Sequence, residues 1–197
     1  MAEKKDQKKI DGIVKKFQNG DTEAFGEIYD IYLTDIYRFI YYKVTHKEIA
    51  EDLTEDAFFK AWNNIDKYQK TKYPFSSWLY RIANNTVIDY LRKENISIDE
   101  LVDEIKDDRV NVAESANGYF DQVLLQKALV QLPENQREAI ILKYVNDLQN
   151  KEIAIVLDKS ETAIRILLSR AIAKLKEIIQ KLENHYEDKN SNLKDKK

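Results

Sequence analysis

The sequence has no cysteine, two histidines, two prolines and four glycines among 197 residues, and each scarcity removes a class of answer. Without thiols there is no disulfide framework, thiolate nucleophile or cysteine-based metal site. His46 and His185 stand far apart, and no glycine-rich phosphate loop accompanies them. Glu51, Asp52, Glu55 and Asp56 belong to a surface helix without a matching base or metal-ligand histidine, and His46 falls in the turn before it. The chain is therefore expected to be no enzyme and to need no metal or cofactor. Rare glycine and proline disfavour turn-rich sheets and favour helices. No apolar run is long enough to cross a bilayer, and Met1–Lys16 is charged, without the apolar stretch of a signal peptide. A soluble, cytoplasmic protein with no membrane insertion is expected.

A net positive charge is also missing: 35 acids outweigh 32 lysines and arginines, for a net charge of −3, unpromising for a nucleic-acid binder until it is divided along the chain. Ile96–Tyr119 holds seven acids against Lys106 and Arg109, a larger deficit than that of the whole chain. The stretch up to Gly20 has six lysines against three acids. Acidity is thus concentrated in the middle, and local charge is the better guide.

Hydrophobic periodicity predicts an all-α fold, two small helical domains joined by a flexible acidic linker. Residues 1–20 form a polar segment with a short helix at Ile10–Phe17. The first domain, 21–95, starts with a helix capped by Asp21 or Thr22, whose stripe is Phe25, Ile28, Tyr29, Tyr32, Ile36, Phe39 and Ile40. Helices over Lys47–Asn64 and Ser76–Lys93 follow. Residues 96–118 lack a sustained period and read as the linker. The second domain, 119–183, has helices over Tyr119–Gln131 and Pro133–Val145, with Pro133 at a first-turn position. Residues 184–197 are expected to be a frayed polar tail.

Four features carry functional signal, each beside a plainer reading. Asn150–Ile179 reads as a short helix, a break at Asp158-Lys159-Ser160 with Ser160 as N-cap, and a longer basic helix. That is the helix-turn-helix pattern, whose second helix enters a DNA major groove; the plainer reading is a helical hairpin with a solvated basic face. On Lys47–Trp62, Ile49, Leu53 and Ala57 make a core face. Glu51, Asp52, Glu55, Phe59 and Trp62 lie roughly opposite, either a protein-binding patch with an aromatic anchor or solvated acids with both rings packed on a neighbouring helix. On Ser76–Lys93 a polar stripe of Arg81, Asn84, Asn85 and Arg92 suits phosphate and base-edge contacts. The preceding loop adds Lys67, Tyr68, Lys70, Lys72 and Tyr73, rings and cations of the kind that hold single-stranded nucleic acid, or an ordinary solvated loop.

Four ordered blocks, Asp21–Tyr32, Ala50–Trp62, Pro74–Lys93 and Leu132–Ile164, resemble the successive conserved regions of extracytoplasmic-function sigma factors, the promoter-recognition subunits of bacterial RNA polymerase. The resemblance implies that Asp52, Leu53, Glu55, Asp56 and Phe59 dock on the clamp coiled coil of core RNA polymerase, with a second contact at its flap. It implies that Lys67, Tyr68, Lys70, Lys72, Arg81, Asn84, Asn85 and Arg92 serve the downstream (−10) promoter DNA element, where the Tyr68–Pro74 loop captures a flipped base. The upstream (−35) element would fall to Ser160, Glu161, Thr162, Arg165, Ser169 and Arg170. An anti-sigma partner is implied as well. The chain departs from the family pattern in two places. Asp158 stands where glycine is usual, and Asp tolerates the left-handed turn better than most residues. Ile166 and Leu167 replace a serine and a basic residue; Ile166 is placed to meet thymine methyls or an inhibitory partner. An extended linker of about 23 residues reaches ~75 Å, enough for two groove sites about 70 Å apart. The rival readings are a DNA-binding regulator that acts without polymerase and a helical adaptor.

Overall fold

The computed structural model describes residues 6–70, 73–94 and 117–194. Its helices are α1 (Gln7–Gln18), α2 (Ala24–Val44), α3 (Lys47–Asn64), α4 (Phe75–Glu94), α5 (Asn117–Val130), α6 (Glu134–Ile140), α7 (Asn150–Val156) and α8 (Glu161–Lys194). A 3-10 turn at Ile65–Lys67 follows α3, and a π turn at Ile141–Val145 continues α6. No strand occurs among the described residues. Residues 96–116 of the expected acidic linker lie outside the described residues, as does Lys72, while 117 and 118 open α5.

Helix boundaries follow local chemistry. The chain leaves α1 through Gly20, at φ 101°, a conformation that side chains strain to adopt. Glu23, rather than Asp21 or Thr22, occupies the N-cap position of α2. The helix stops at Thr45, whose φ is 59° and whose N–H bonds the Tyr41 carbonyl. Asp158 takes φ 53°, so the turn of the hairpin keeps its left-handed residue without glycine. Ser160 caps α8, its hydroxyl accepting the Ala163 N–H at 3.1 Å. Over the described part of the expected frayed tail, 184–194, the chain is instead helical, as α8 continues through Lys194. No glycine or proline interrupts Glu161–Lys194, so nothing breaks the ladder.

In the first half α2 packs on α1, α3 and α4, and α3 packs on α4. Ile28, Ile36, Phe39 and Ile40 are fully buried there, each aliphatic side chain contributing about 1.5–3 kcal/mol. In the second half α8 packs on α5, α6 and α7 through Ile164, Leu168, Ala171 and Ile178. The two halves also close on each other, α4 against α7 and α2 against the π turn, so that one apolar cluster runs through both.

The seam between them is polar at its centre. Lys43, on α2, is fully buried; its ammonium donates to the Asn84 side-chain oxygen at 2.5 Å and pairs with Glu138 of α6. Burial pushes the Lys43 pKa down, and the Glu138 carboxylate opposes that shift. Around this pair the Asn146 amide donates to the Asp35 carbonyl at 2.8 Å, and the Ser76 hydroxyl donates to Glu152 at 3.2 Å. Tyr80 is buried beside Asn146, and that burial raises its hydroxyl pKa well above the ordinary value.

Candidate nucleic-acid and protein interfaces

Two successive asparagines on α4 face opposite ways. Asn84 is 5% exposed and turned into the seam, bonded to Lys43, so the expectation that it contacts DNA is corrected in this arrangement. Asn85 is exposed and lines a cleft of about 370 Å³ with Lys60, Asn64, Lys67, Tyr73, Trp78 and Arg81. One helical step of about 100° separates the two fates, which a helical wheel drawn without its neighbours does not resolve.

The cleft joins residues that are remote in sequence. Lys60 and Asn64 come from the last turns of α3, Lys67 and Tyr73 from the connecting loop, Trp78, Arg81 and Asn85 from α4. Lys60 donates to the Thr86 hydroxyl at 3.2 Å and Lys67 to the Asn64 side-chain oxygen at 2.8 Å, which pins both cations at the rim. Cations, an aromatic floor and an amide with both donor and acceptor are what a flipped base and its phosphates require. Sequence reading found Lys67, Arg81 and Asn85; it missed Lys60 and Asn64, which lie seven positions after Leu53 and Ala57 and so continue the core stripe of α3 as polar residues at its end.

Tyr68 is also corrected. It is 5% exposed, its ring against Phe75 and Trp78, and its hydroxyl donates to the Tyr73 carbonyl at 3.0 Å. Burial raises its pKa to about 12. It props the loop from inside and is not available for stacking. Lys70 turns away from the cleft to pair with Asp11 of α1 at 2.7 Å. Arg92 is exposed at the end of α4, 3.7 Å from Asp89.

On α3, Asp52, Glu55 and Asp56 are exposed around Phe59, which is 68% exposed. Trp62 is 39% exposed, but its ring also packs inward, meeting Phe17 at 4.9 Å and Phe25 at 5.0 Å, edge to face. Leu53 is 3% exposed and belongs to the core, which corrects its place in a docking surface.

The start of α8 presents Glu161, Thr162, Arg165, Ser169 and Arg170 outward, while Ile164 and Leu168 face the core. Arg165 is held by Glu161 at 2.7 Å, one turn back. Ile166 is 49% exposed within this polar face. Among the described residues no cluster of histidines and carboxylates is arranged to hold a metal ion, and no helix is long and apolar enough to cross a membrane.

Comparison with known proteins identifies the family. The Sigma-70 region 2 family matches residues 28–96 and the Sigma-70 region 4 family matches residues 122–175. The chain is 32% identical to the ECF RNA polymerase sigma factor SigM of Bacillus subtilis, covering 76% of this chain and 91% of SigM. It is 31% identical to SigW of the same organism, covering 86% and 96%. To BldN of Streptomyces coelicolor it is 32% identical, covering 85% of this chain and 64% of that longer protein. Among solved structures it is similar to the sigma factor RpoE crystallised with the anti-sigma factor NepR from Bartonella quintana, at TM-score 0.64 and 25% identity, covering 80% of this chain and 98% of that one. It shares the fold of CnrH, solved with the cytosolic domain of CnrY, at TM-score 0.68 and 23% identity, covering 89% and 98%. The chain belongs to the extracytoplasmic-function (ECF) RNA polymerase sigma factors, the subunits that direct RNA polymerase to promoters for transcription initiation.

Proposed function

We propose that this sigma factor reads its promoter at two surfaces, the cleft between α3 and α4 and the exposed face at the start of α8, and docks on core polymerase through α3. The convergence of Lys60, Asn64, Lys67, Arg81 and Asn85 on one cleft carries this reading. The cleft takes an unpaired non-template base of the downstream element, offsetting the few kcal/mol that unstacking costs, while Arg92 holds the adjoining backbone. The α8 face lies in the upstream major groove, with Ser160 fixing the helix start. Phe59 and its ring of acids meet the clamp coiled coil of the largest subunit. Tyr144, 60% exposed beside α6, offers an aromatic contact on the other half, toward the flap.

The factor has no catalytic role of its own, acts in the cytoplasm, and leaves phosphodiester chemistry to the polymerase. An anti-sigma protein that covers these surfaces is the fitting regulator, as for the RpoE and CnrH structures solved with partners. The closed seam adds a conformational requirement. The α8 helix packs directly on α7, which touches α4, so its start lies about two helix diameters, ~20–25 Å, from α4. Promoter sites about 70 Å apart therefore demand that the halves separate before both engage.

Two substitutions test the DNA surfaces. Asn85→Ala is expected to weaken capture of the flipped base by about 1–3 kcal/mol, the worth of a bidentate amide–base pair, read as lost permanganate reactivity of downstream thymines with core binding unchanged. Unaltered opening removes Asn85 from the site. Arg165→Ala should weaken upstream-element binding by about 1–3 kcal/mol if it makes a bidentate base contact; an unchanged footprint removes it.

A further inference from the structure

Helix α1 precedes the residues that match the region 2 family, which begin at 28, yet it is tied to the loop that borders the cleft. Its apolar side, Ile10, Ile13, Val14 and Phe17, is buried, with Phe17 edge-on to Trp62 and tilted on Phe25. Two polar side chains extend from this base. The Gln18 amide donates to the Ile65 carbonyl at 2.9 Å and to the Tyr68 carbonyl at 3.2 Å, so both hydrogens of its NH₂ group are committed. Asp11, its side chain 8% exposed, pairs with Lys70 and also accepts from Gln7 at 2.8 Å, which orients the carboxylate. Ile65, Tyr68 and Lys70 are the points at which the loop is held. Lys67, between them, and Tyr73, clasped by the Tyr68 hydroxyl, line the cleft.

We infer that Gln18 and Asp11 of α1 are positioning residues for base selection: they hold the Ile65–Lys70 backbone so that Lys67 and Tyr73 stand at a fixed distance from Arg81 and Asn85. This rests on the cleft being the base-capture site. A site that discriminates bases needs donors and rings placed within about half an ångström, and a loop secured on one side only does not supply that. The clamp touches no DNA, so its loss is felt as poorer choice among bases and not as weaker binding to polymerase.

The experiment uses the full chain with core polymerase on promoters that differ only in the flipped non-template base. Gln18→Glu keeps the shape and removes the donor hydrogens; Gln18→Lys restores donors. Selectivity among the four bases is expected to fall about five- to tenfold in Gln18→Glu, the effect of loosening one or two neutral hydrogen bonds, and to recover largely in Gln18→Lys. Affinity for core polymerase stays unchanged. Asp11→Asn, which weakens the second tie without touching Gln18, produces a smaller loss in the same direction. Amide hydrogen exchange over 65–70, measured without DNA, accelerates in Gln18→Glu and reports the loop independently of transcription. Selectivity unchanged in Gln18→Glu, or changed without faster exchange, overturns the clamp while Asn85→Ala still lowers selectivity. Should Asn85→Ala leave selectivity intact, the cleft reading itself has failed, and the selective role given to Gln18 and Asp11 falls with it.

Discussion

Glu138→Ala is expected to open the molecule. Lys43 is fully buried, and Glu138 is its only carboxylate partner among the described ion pairs. Removing one member of a buried pair leaves an uncompensated charge, a loss of about 3–5 kcal/mol. The expected relief is separation of α2 and α4 from α6 and α7, since the helix contacts within each half remain. The chain has no cysteine, so Asp30→Cys and Lys176→Cys, both exposed positions, place two dyes without competing thiols. Energy transfer between them should fall in Glu138→Ala while the helical circular dichroism stays. Retained high transfer would mean that the apolar contacts alone hold the halves closed; lost helicity would mean unfolding in place of opening. Replacing Lys43, Asn84 and Glu138 together by Met, Leu and Leu should be neutral to stabilising, by about 1–4 kcal/mol, since no charge is then desolvated. That variant is expected to stay closed and to initiate poorly.

Phe59→Ala is expected to reduce affinity for core polymerase by about 2–4 kcal/mol, the range of an aromatic residue at the centre of an interface. Its side chain is 68% exposed, so the fold itself should change by no more than about 0.5 kcal/mol. Asp52, Glu55 and Asp56 surround it, and charge reversal there should slow association in a salt-dependent way. Anisotropy of the labelled chain titrated with core polymerase separates these effects. Leu53→Ala provides the contrast: it empties a core position, costs about 2–5 kcal/mol of stability, and weakens binding only in proportion to unfolding. An unchanged affinity in Phe59→Ala would remove α3 as the docking helix.

The helical class was legible because apolar residues recur at helical spacing and few glycines or prolines interrupt them. The turn at Asp158, the cap at Ser160 and the outward face from Glu161 to Arg170 were legible for the same reason: each depends on neighbours within a turn or two. The acid and aromatic surface of α3 was read in outline, with Phe59 outward, but the fate of Trp62 depended on Phe17 and Phe25, which lie 37 or more positions earlier. Three side chains expected at the DNA surface are engaged within the fold. Tyr68, Lys70 and Asn84 have the right chemistry for DNA, and each is claimed by packing beyond its own helical turn: Phe75 and Trp78, across the loop, pack the first, Asp11 pairs with the second, and Lys43 donates to the side-chain oxygen of the third.

Sequence by itself determined what repeats locally: eight described helices in nearly their expected places, the hairpin with its basic second helix, and the blocks that mark the family. Tertiary structure alone decided which of two adjacent asparagines faces a cleft and which faces a seam, how α1 reaches the loop, and that a lysine is buried between the two halves. The physical reason is range. A periodic pattern assigns a residue to one side of its own helix, but whether that side meets solvent, a base or another helix depends on which distant segment exchanges the most water for contact.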